Sequence, residues 1–205
     1  MGVTRRGRFA AITNVREPEQ PDQQLRSRGE LTINFLTGKH SASDYLSDIN
    51  DQHHQYAGFN LLAGKLDQLW FYSNRDHSIQ PLKPGVYGIS NGGFDEHWPK
   101  VAKGKKELEL AIQNYSKPQE LLALLQDRQA APDRQLPDTG VDQAIERWLS
   151  PLFIHNPAFA YGTRSSTVVT LNRDNQLHFF EQSYDHQAIP GEHREYQFCL
   201  SNNQD

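Results

Sequence analysis

Three polar residues stand where apolar strands are expected to end or continue, and all three side chains can donate hydrogen bonds to oxygen atoms. Asn14 ends AITN and Asn91 ends GISN, and each side-chain amide carries two donor N–H groups. Such amides either bond the backbone of a turn or form an oxyanion hole for a tetrahedral intermediate. Arg164 is expected within a buried strand, just before SSTVVTL, so it either faces a partner or cavity or keeps its head in solvent at an edge strand.

Other reactive side chains give weaker signals. His53 and His54 are adjacent, so they do not have the i, i+4 spacing of a helical metal pair, and we expect surface positions for both. The acidic residues in DEHWP precede a predicted helix, where the positive end of the helix dipole favours negative charge, so they are not evidence of a metal site. Cys199 is the single cysteine, which excludes an internal disulfide, and we expect it to be a packed core thiol. No metal site or cofactor is predicted.

Composition narrows the class of protein. The chain has 205 residues and a net charge of −4, so it has no basic field to attract nucleic acid. It has no apolar run long enough for a transmembrane segment, and the N-terminus lacks the apolar core of a signal peptide. With one cysteine, these features predict a cytoplasmic protein.

Residue patterns predict strands and helices that must position the polar side chains. RFAAITNV is a short apolar strand, followed by a loop that contains Pro18 and Pro21. A helix is expected from Ser43, which would cap it. Three strands are then predicted, two of them joined as a hairpin at Leu66 and Asp67: FNLLAGKL, QLWFYSN and GVYGISN.

The second half of the chain is also predicted to contain both helices and strands. Pro99 suits the first turn of a helix that would run to about Tyr115, because its missing N–H has no partner there. Two more helices are expected in QELLALLQDRQ and DQAIERWLSPLF. STVVTLN and LHFFEQSYD form a hairpin that turns at residues 173–175, and REYQFCL is a final strand. The order of these elements predicts an α+β protein of one domain over residues 1–205.

Several of these blocks, taken in order, carry a family resemblance. GVTRRGRFAAITNVRE, FNLLAG, LWFYSNR, PGVYGISNGGFDEHWPKV and YGTRSSTVVTL together resemble the NRDE family, also called the transport and Golgi organisation protein 2 family. The resemblance runs from Gly2 to about Leu200. It implies a four-layer αββα sandwich of the N-terminal nucleophile hydrolase type, similar to penicillin acylase and bile salt hydrolase.

The resemblance also implies a nucleophile that this chain does not carry. Members of the family typically begin Met-Cys, so that removal of Met exposes a cysteine whose α-amine serves as the base. Here Gly2 would become the terminus, and the Asn-Arg-Asp triplets at 74–76 and 172–174 are not the family motif. In the family, a segment of the type GGTW-x-G precedes the block that begins at Gly2. We therefore expect a chain truncated at its N-terminus, with the first strands of the fold and the nucleophile missing.

The resemblance assigns roles to the three polar residues. Asn14 and Asn91 would be the amides that stabilise an oxyanion, and Arg164 would be a binding residue of the pocket. The function implied is a cytoplasmic amidase or acyl hydrolase that lacks its nucleophile here, with a small acyl or amide substrate. The alternative is a binding or trafficking protein for haem or another hydrophobic ligand, although the sequence has no Cys-Pro pair and no pattern that marks His97 or His155 as an axial ligand.

Overall fold

The computed structural model describes residues 1–18, 25–114 and 117–201. The chain forms two compact units. The first contains Met1–Glu96 with Leu200–Asp205, and the second contains His97–Cys199. Each unit has its own antiparallel sheet and its own helices, so each is described by itself.

The first unit is built on a five-stranded antiparallel sheet in chain order. The strands are β1 Gly2–Val3, β2 Arg8–Asn14, β3 Phe59–Lys65, β4 Gln68–Ser73 and β5 Ile79–Pro81. The predicted hairpin at Leu66 and Asp67 is confirmed, because Lys65 pairs with Gln68 across that turn.

Two helices and one 3₁₀ turn lie between β2 and β3: α1 Gly29–Thr37, α2 Ala42–Asp51 and the turn His53–Gln55. Ser41 caps α2, since its Oγ accepts a hydrogen bond from the Asp44 N–H at 3.1 Å. The prediction of Ser43 as the cap is therefore wrong by two residues. The sequence analysis assigned no helix to the segment that forms α1.

Both helices cover one face of this sheet. Alternate residues of β2, β3 and β4 point to that face because side chains alternate along a strand. They bury an apolar cluster with the helices: Ala10, Phe59, Leu61, Ala63 and Tyr72 from the sheet, and Leu31, Phe35, Leu46 and Ile49 from the helices. This cluster is the core of the first unit.

The strand predicted in GVYGISN is wrong. Within it, only Ile89 forms a bridge, with Phe94. Carbonyl groups of this segment accept hydrogen bonds from side chains of the sheet end: Thr13 Oγ1 donates to Ser90 O at 2.7 Å, and Asn60 Nδ2 donates to Gly92 O at 2.7 Å. These carbonyls are therefore satisfied without a neighbouring strand.

The second unit contains a three-stranded antiparallel sheet and a short hairpin. The hairpin strands are β6 His155–Asn156 and β7 Tyr161–Gly162, and the sheet strands are β8 Ser165–Leu171, β9 Gln176–Tyr184 and β10 Pro190–Cys199. The predicted turn between β8 and β9 is confirmed, and Asn175 has a positive φ of 56° there.

Helices cover one face of that sheet. They are α3 Pro99–Ala111 and α4 Pro118–Leu122. The unit also contains α5 Gln143–Trp148 and 3₁₀ turns at Ala123–Gln126, Asp133–Gln135 and Pro157–Phe159. Pro99 occupies the first turn of α3, as predicted, and Tyr115 lies outside the described residues. Leu121 and Leu122 pack on Val168 and Phe180. Antiparallel sheets and helices in both units confirm the α+β class. No helix among the described residues is long and apolar enough to cross a membrane.

Candidate functional site

Polar side chains from two strands anchor the loop of residues 88–96 at one end of the first unit's sheet. Thr13 and Asn60 lie opposite each other in β2 and β3, and therefore on one face. Asn60 is only 1% exposed, and its Nδ2 donates to Gly92 O and to Thr13 Oγ1. Its Oδ1 is buried without a hydrogen-bond partner among the described residues. Asn60 therefore holds the loop against the sheet end.

The anchored loop brings two predicted site residues together. Asn91 Nδ2 donates a hydrogen bond to Asn14 O at 2.8 Å, and Asn91 O accepts one from the Arg16 N–H at 2.6 Å. The Asn14 side chain is exposed and Asn91 is half-buried. One N–H of the Asn91 amide is used in this contact, and the amide has a second donor.

The third predicted residue, Arg164, belongs to the second unit. It lies immediately before β8, not within a buried strand, and its side chain is exposed. Its carbonyl accepts a hydrogen bond from the Tyr184 N–H at 2.8 Å. The pKa of Asp185 is lowered, mainly because its carboxylate accepts hydrogen bonds from the backbone N–H groups of Ile189 and Gln187. The positive charge of Arg164 lowers this pKa further.

A charged network fixes the chain just after Asn14. Glu17 accepts two hydrogen bonds from the Arg75 guanidinium, at 2.8 and 2.6 Å, and one from the Gly58 N–H at 3.1 Å. The Arg75 hydrogen bond is the largest cause that holds the Glu17 pKa below its ordinary value, and it outweighs desolvation. Arg28 donates to Gly58 O at 2.8 Å. A Cβ on Gly58 would approach Val15 Cβ to 2.9 Å, and that atom is fixed to the backbone, so the close approach requires glycine.

The triplet Asn74-Arg75-Asp76 has a structural role in this network. Asn74 is 2% exposed, and its Oδ1 accepts a hydrogen bond from the Phe59 N–H at 2.8 Å. Its Nδ2 donates to the carbonyls of His53, Tyr56 and Ala57 at 3.2–3.4 Å. The amide therefore joins the start of β3 to the segment that precedes it.

Two features of this site were not predicted from the sequence. Asn60 was not singled out, although an amide inside the apolar run FNLLAG must be paired when that strand is buried. Residues 88–92 also read Gly-Ile-Ser-Asn-Gly, which matches the Gly-x-Ser-x-Gly pattern of a nucleophile elbow. That elbow requires a strand before the serine and a helix after it. Here the serine lies in a loop, and the next helix begins only at Pro99.

The expectation of a packed core thiol is wrong. Cys199 is exposed at the end of β10, which pairs only with β9 within the second sheet. An edge strand leaves its side chains uncovered unless another element packs on them. The prediction that this residue lies in the final strand is confirmed.

Histidines do not assemble a metal centre in the described ranges. His53 packs edge-on against His77, with ring centroids 4.4 Å apart, and its Nδ1 bonds Asn50 O at 2.7 Å. No group of three or more His, Cys, Asp or Glu side chains there has the arrangement to hold a metal ion. His97 is exposed, and His155 Nε2 is buried without a hydrogen-bond partner in the described part of the chain.

Comparison with known proteins gives one family. The family model described as "Transport and Golgi organisation 2" matches residues 1–186. The chain belongs to the Transport and Golgi organisation 2 family. This confirms the resemblance found in the sequence, because the two family names refer to the same group.

Curated relatives in the Transport and Golgi organisation 2 family match across most of the chain. The human "Transport and Golgi organization protein 2 homolog" is 34% identical over 98% of this chain and 77% of its own length. The bovine protein of the same name is 33% identical over 89% of this chain and 71% of its own length. The Drosophila melanogaster "Transport and Golgi organization protein 2" is 23% identical over 86% of this chain and 67% of its own length. Their shared names refer to transport and to the Golgi.

Proposed function

We propose that this chain binds a small acyl or amide compound in the cytoplasm, through a site of the N-terminal nucleophile hydrolase type. The supporting observation is the hydrogen bond from the Asn91 side-chain amide to the backbone carbonyl of Asn14, which fixes the Asn91 amide on its anchored loop beside the end of β2. Amide N–H groups held in place by other contacts are suited to bind a carbonyl oxygen or an oxyanion. The four-layer αββα arrangement is part of this proposal. Its support is one antiparallel sheet with helices on one face in each unit.

Hydrolysis would need a nucleophile beside these amides. Cys199 does not qualify, because its nitrogen is in a peptide bond and it lies in β10 of the second unit. We therefore propose that the chain, as it stands, binds amides without cleaving them. Arg164 lies in the second unit and stays a proposed binding residue by itself, since an exposed guanidinium presents a planar fork to oxygen acids.

The test is a binding titration of the intact chain with hexanamide, N-hexanoylglycine and N-hexanoylglycinamide. Asn91→Ala should weaken binding of all three compounds about tenfold, because one hydrogen bond to the acyl oxygen is lost. Asn114→Ala, which removes an exposed amide after α3, is the matched control. If none of the three compounds binds, or if Asn91→Ala binds them as the parent does, the proposal fails.

A carrier of haem or another hydrophobic ligand is the second candidate function. The names of the relatives refer to transport, and His155 Nε2 is a buried ring nitrogen without a partner in the described residues. A haem titration followed by absorbance separates the two functions. A carrier should give a Soret shift that His155→Ala removes and Asn91→Ala leaves intact, whereas an amide-binding protein should give none.

A further inference from the structure

A cleft on the helix-covered side of the first unit is lined by none of the residues of the amide site. It has a volume of about 300 Å³ and is bordered by α1, α2 and the start of β2. Arg8 lies in this cleft, and Asn14 lies six residues further along the same strand. At about 3.4 Å per residue, the two ends of β2 are roughly 20 Å apart. The cleft is therefore separate from the loop that carries Asn91.

Arg8 is a half-buried cation with no acidic partner. Its Nε and Nη2 donate to Phe35 O at 3.1 and 2.7 Å, and its Nη1 donates to His40 O at 3.0 Å. No carboxylate of the described residues forms an ion pair with it. Carbonyl groups satisfy three of its five N–H groups but carry no net charge. The positive charge therefore remains uncompensated, and burial lowers the Arg8 pKa.

The other charged groups of the cleft are paired. Arg26 forms an ion pair with Glu30 at 2.7 Å, and His40 lies 3.5 Å from Asp48 in a pair that is exposed. Arg8 is thus the one arginine of the cleft without a carboxylate partner in the described chain. Buried charges in proteins are normally paired, so this arrangement favours an anion from outside.

Aromatic rings form the rest of the binding surface. Phe35 lies under the Arg8 guanidinium, with 4.0 Å from Cζ to the ring centroid, and Tyr45 and Tyr56 also border the cleft. Both tyrosine hydroxyl groups already donate hydrogen bonds, to Leu31 O and to Glu30 Oε1. Phe35 and Tyr56 are only 1% and 4% exposed, so the half-buried ring of Tyr45 is the one that a ligand can reach.

We propose that this cleft binds a small organic oxyanion, an aromatic or aliphatic body that carries a carboxylate or phosphate. The acid group pairs with the two remaining Arg8 N–H groups, and the body packs on the half-buried ring of Tyr45. A volume of about 300 Å³ is at the lower end of the range for small-molecule sites. This site goes beyond the proposed amide-binding function and does not depend on it.

The test compares benzoate with benzamide, which has the same shape and no charge, on the intact chain. Amide chemical shifts are followed by NMR, together with phenyl phosphate as a second oxyanion. We expect benzoate to shift the signals of Gly38 and His40, next to the cleft, and benzamide to bind at least tenfold more weakly. If the two compounds bind equally, or if the shifts lie elsewhere, the proposal is overturned.

Variants separate the charge of Arg8 from its structural role. Arg8→Gln should weaken benzoate binding at least tenfold, and Lys83→Gln, an exposed charge outside the cleft, should leave it unchanged. Because Arg8→Gln also loses contacts to α1, Asp48→Asn serves as an independent variant at the exposed rim. It removes a repulsive charge and should tighten benzoate binding about two- to fivefold. Unchanged binding in Asp48→Asn, or full binding in a folded Arg8→Gln protein, would overturn the proposal.

Discussion

The side-chain amide of Asn91 donates a hydrogen bond to the backbone carbonyl of Asn14 at 2.8 Å, although 77 residues separate them in the chain. This contact exists because Thr13 and Asn60 hold the neighbouring carbonyls of Ser90 and Gly92. The loop of residues 88–96 is therefore held against the end of the sheet by these hydrogen bonds, and substitutions of the residues that form them should change its stability.

Asn60→Ala should destabilise the protein by about 2–3 kcal/mol. The substitution leaves the Gly92 carbonyl without its donor and removes a side chain that is 1% exposed. Urea denaturation gives the free energy of unfolding, and Asn114→Ala should change it by less than about 0.5 kcal/mol. If Asn60→Ala unfolds at the same urea concentration as the parent chain, Asn60 does not anchor the loop.

Glu17 should make stability depend on acid pH. Its pKa is lower in the folded chain than its ordinary value of 4.5, chiefly because Arg75 hydrogen-bonds to the carboxylate. A lowered pKa means that the ion pair stabilises the protein above about pH 4.5 and that this contribution is lost as pH falls through the folded pKa.

The measurement is the free energy of unfolding at pH values from 7 to 3. Glu17→Gln should cost about 1 kcal/mol at pH 7, and the difference from the parent should shrink towards zero at the acid end. Glu109→Gln, which removes an exposed carboxylate from α3, is the control. A Glu17→Gln deficit that stays constant down to pH 3 would contradict the assignment.

Cys199 should react with a thiol reagent in the native protein. It is exposed at the end of an edge strand, so 5,5′-dithiobis(2-nitrobenzoate) should label it within about tenfold of its rate in the denatured chain. Cys199→Ser is the blank for this reaction. Strong protection in the native state would show that β10 is covered, and would restore the expectation of a core thiol.

Local patterns in the sequence determined the hairpins and the best-marked helix. The hairpin between β3 and β4 and the one between β8 and β9 were both predicted, because apolar runs flank short polar turns. The start of α3 was predicted from Pro99. The α1 helix was missed because Arg28, at its cap position, makes no side-chain capping bond, and GELTINFLT contains three β-branched residues. Packing of Leu31 and Phe35 on the sheet stabilises α1, and no local signal shows that packing.

The sequence by itself also determined the family and the position of Asn14 at the end of a strand. Only the tertiary structure decided that Asn14 and Asn91 touch, that Asn60 anchors the loop between them, and that Cys199 is exposed. These facts depend on contacts between residues far apart in the chain. A hydrogen bond to a loop carbonyl, or the lack of cover on an edge strand, is set by which segments meet in space. Periodicity and propensity report only on near neighbours in the chain, so they could not supply that information.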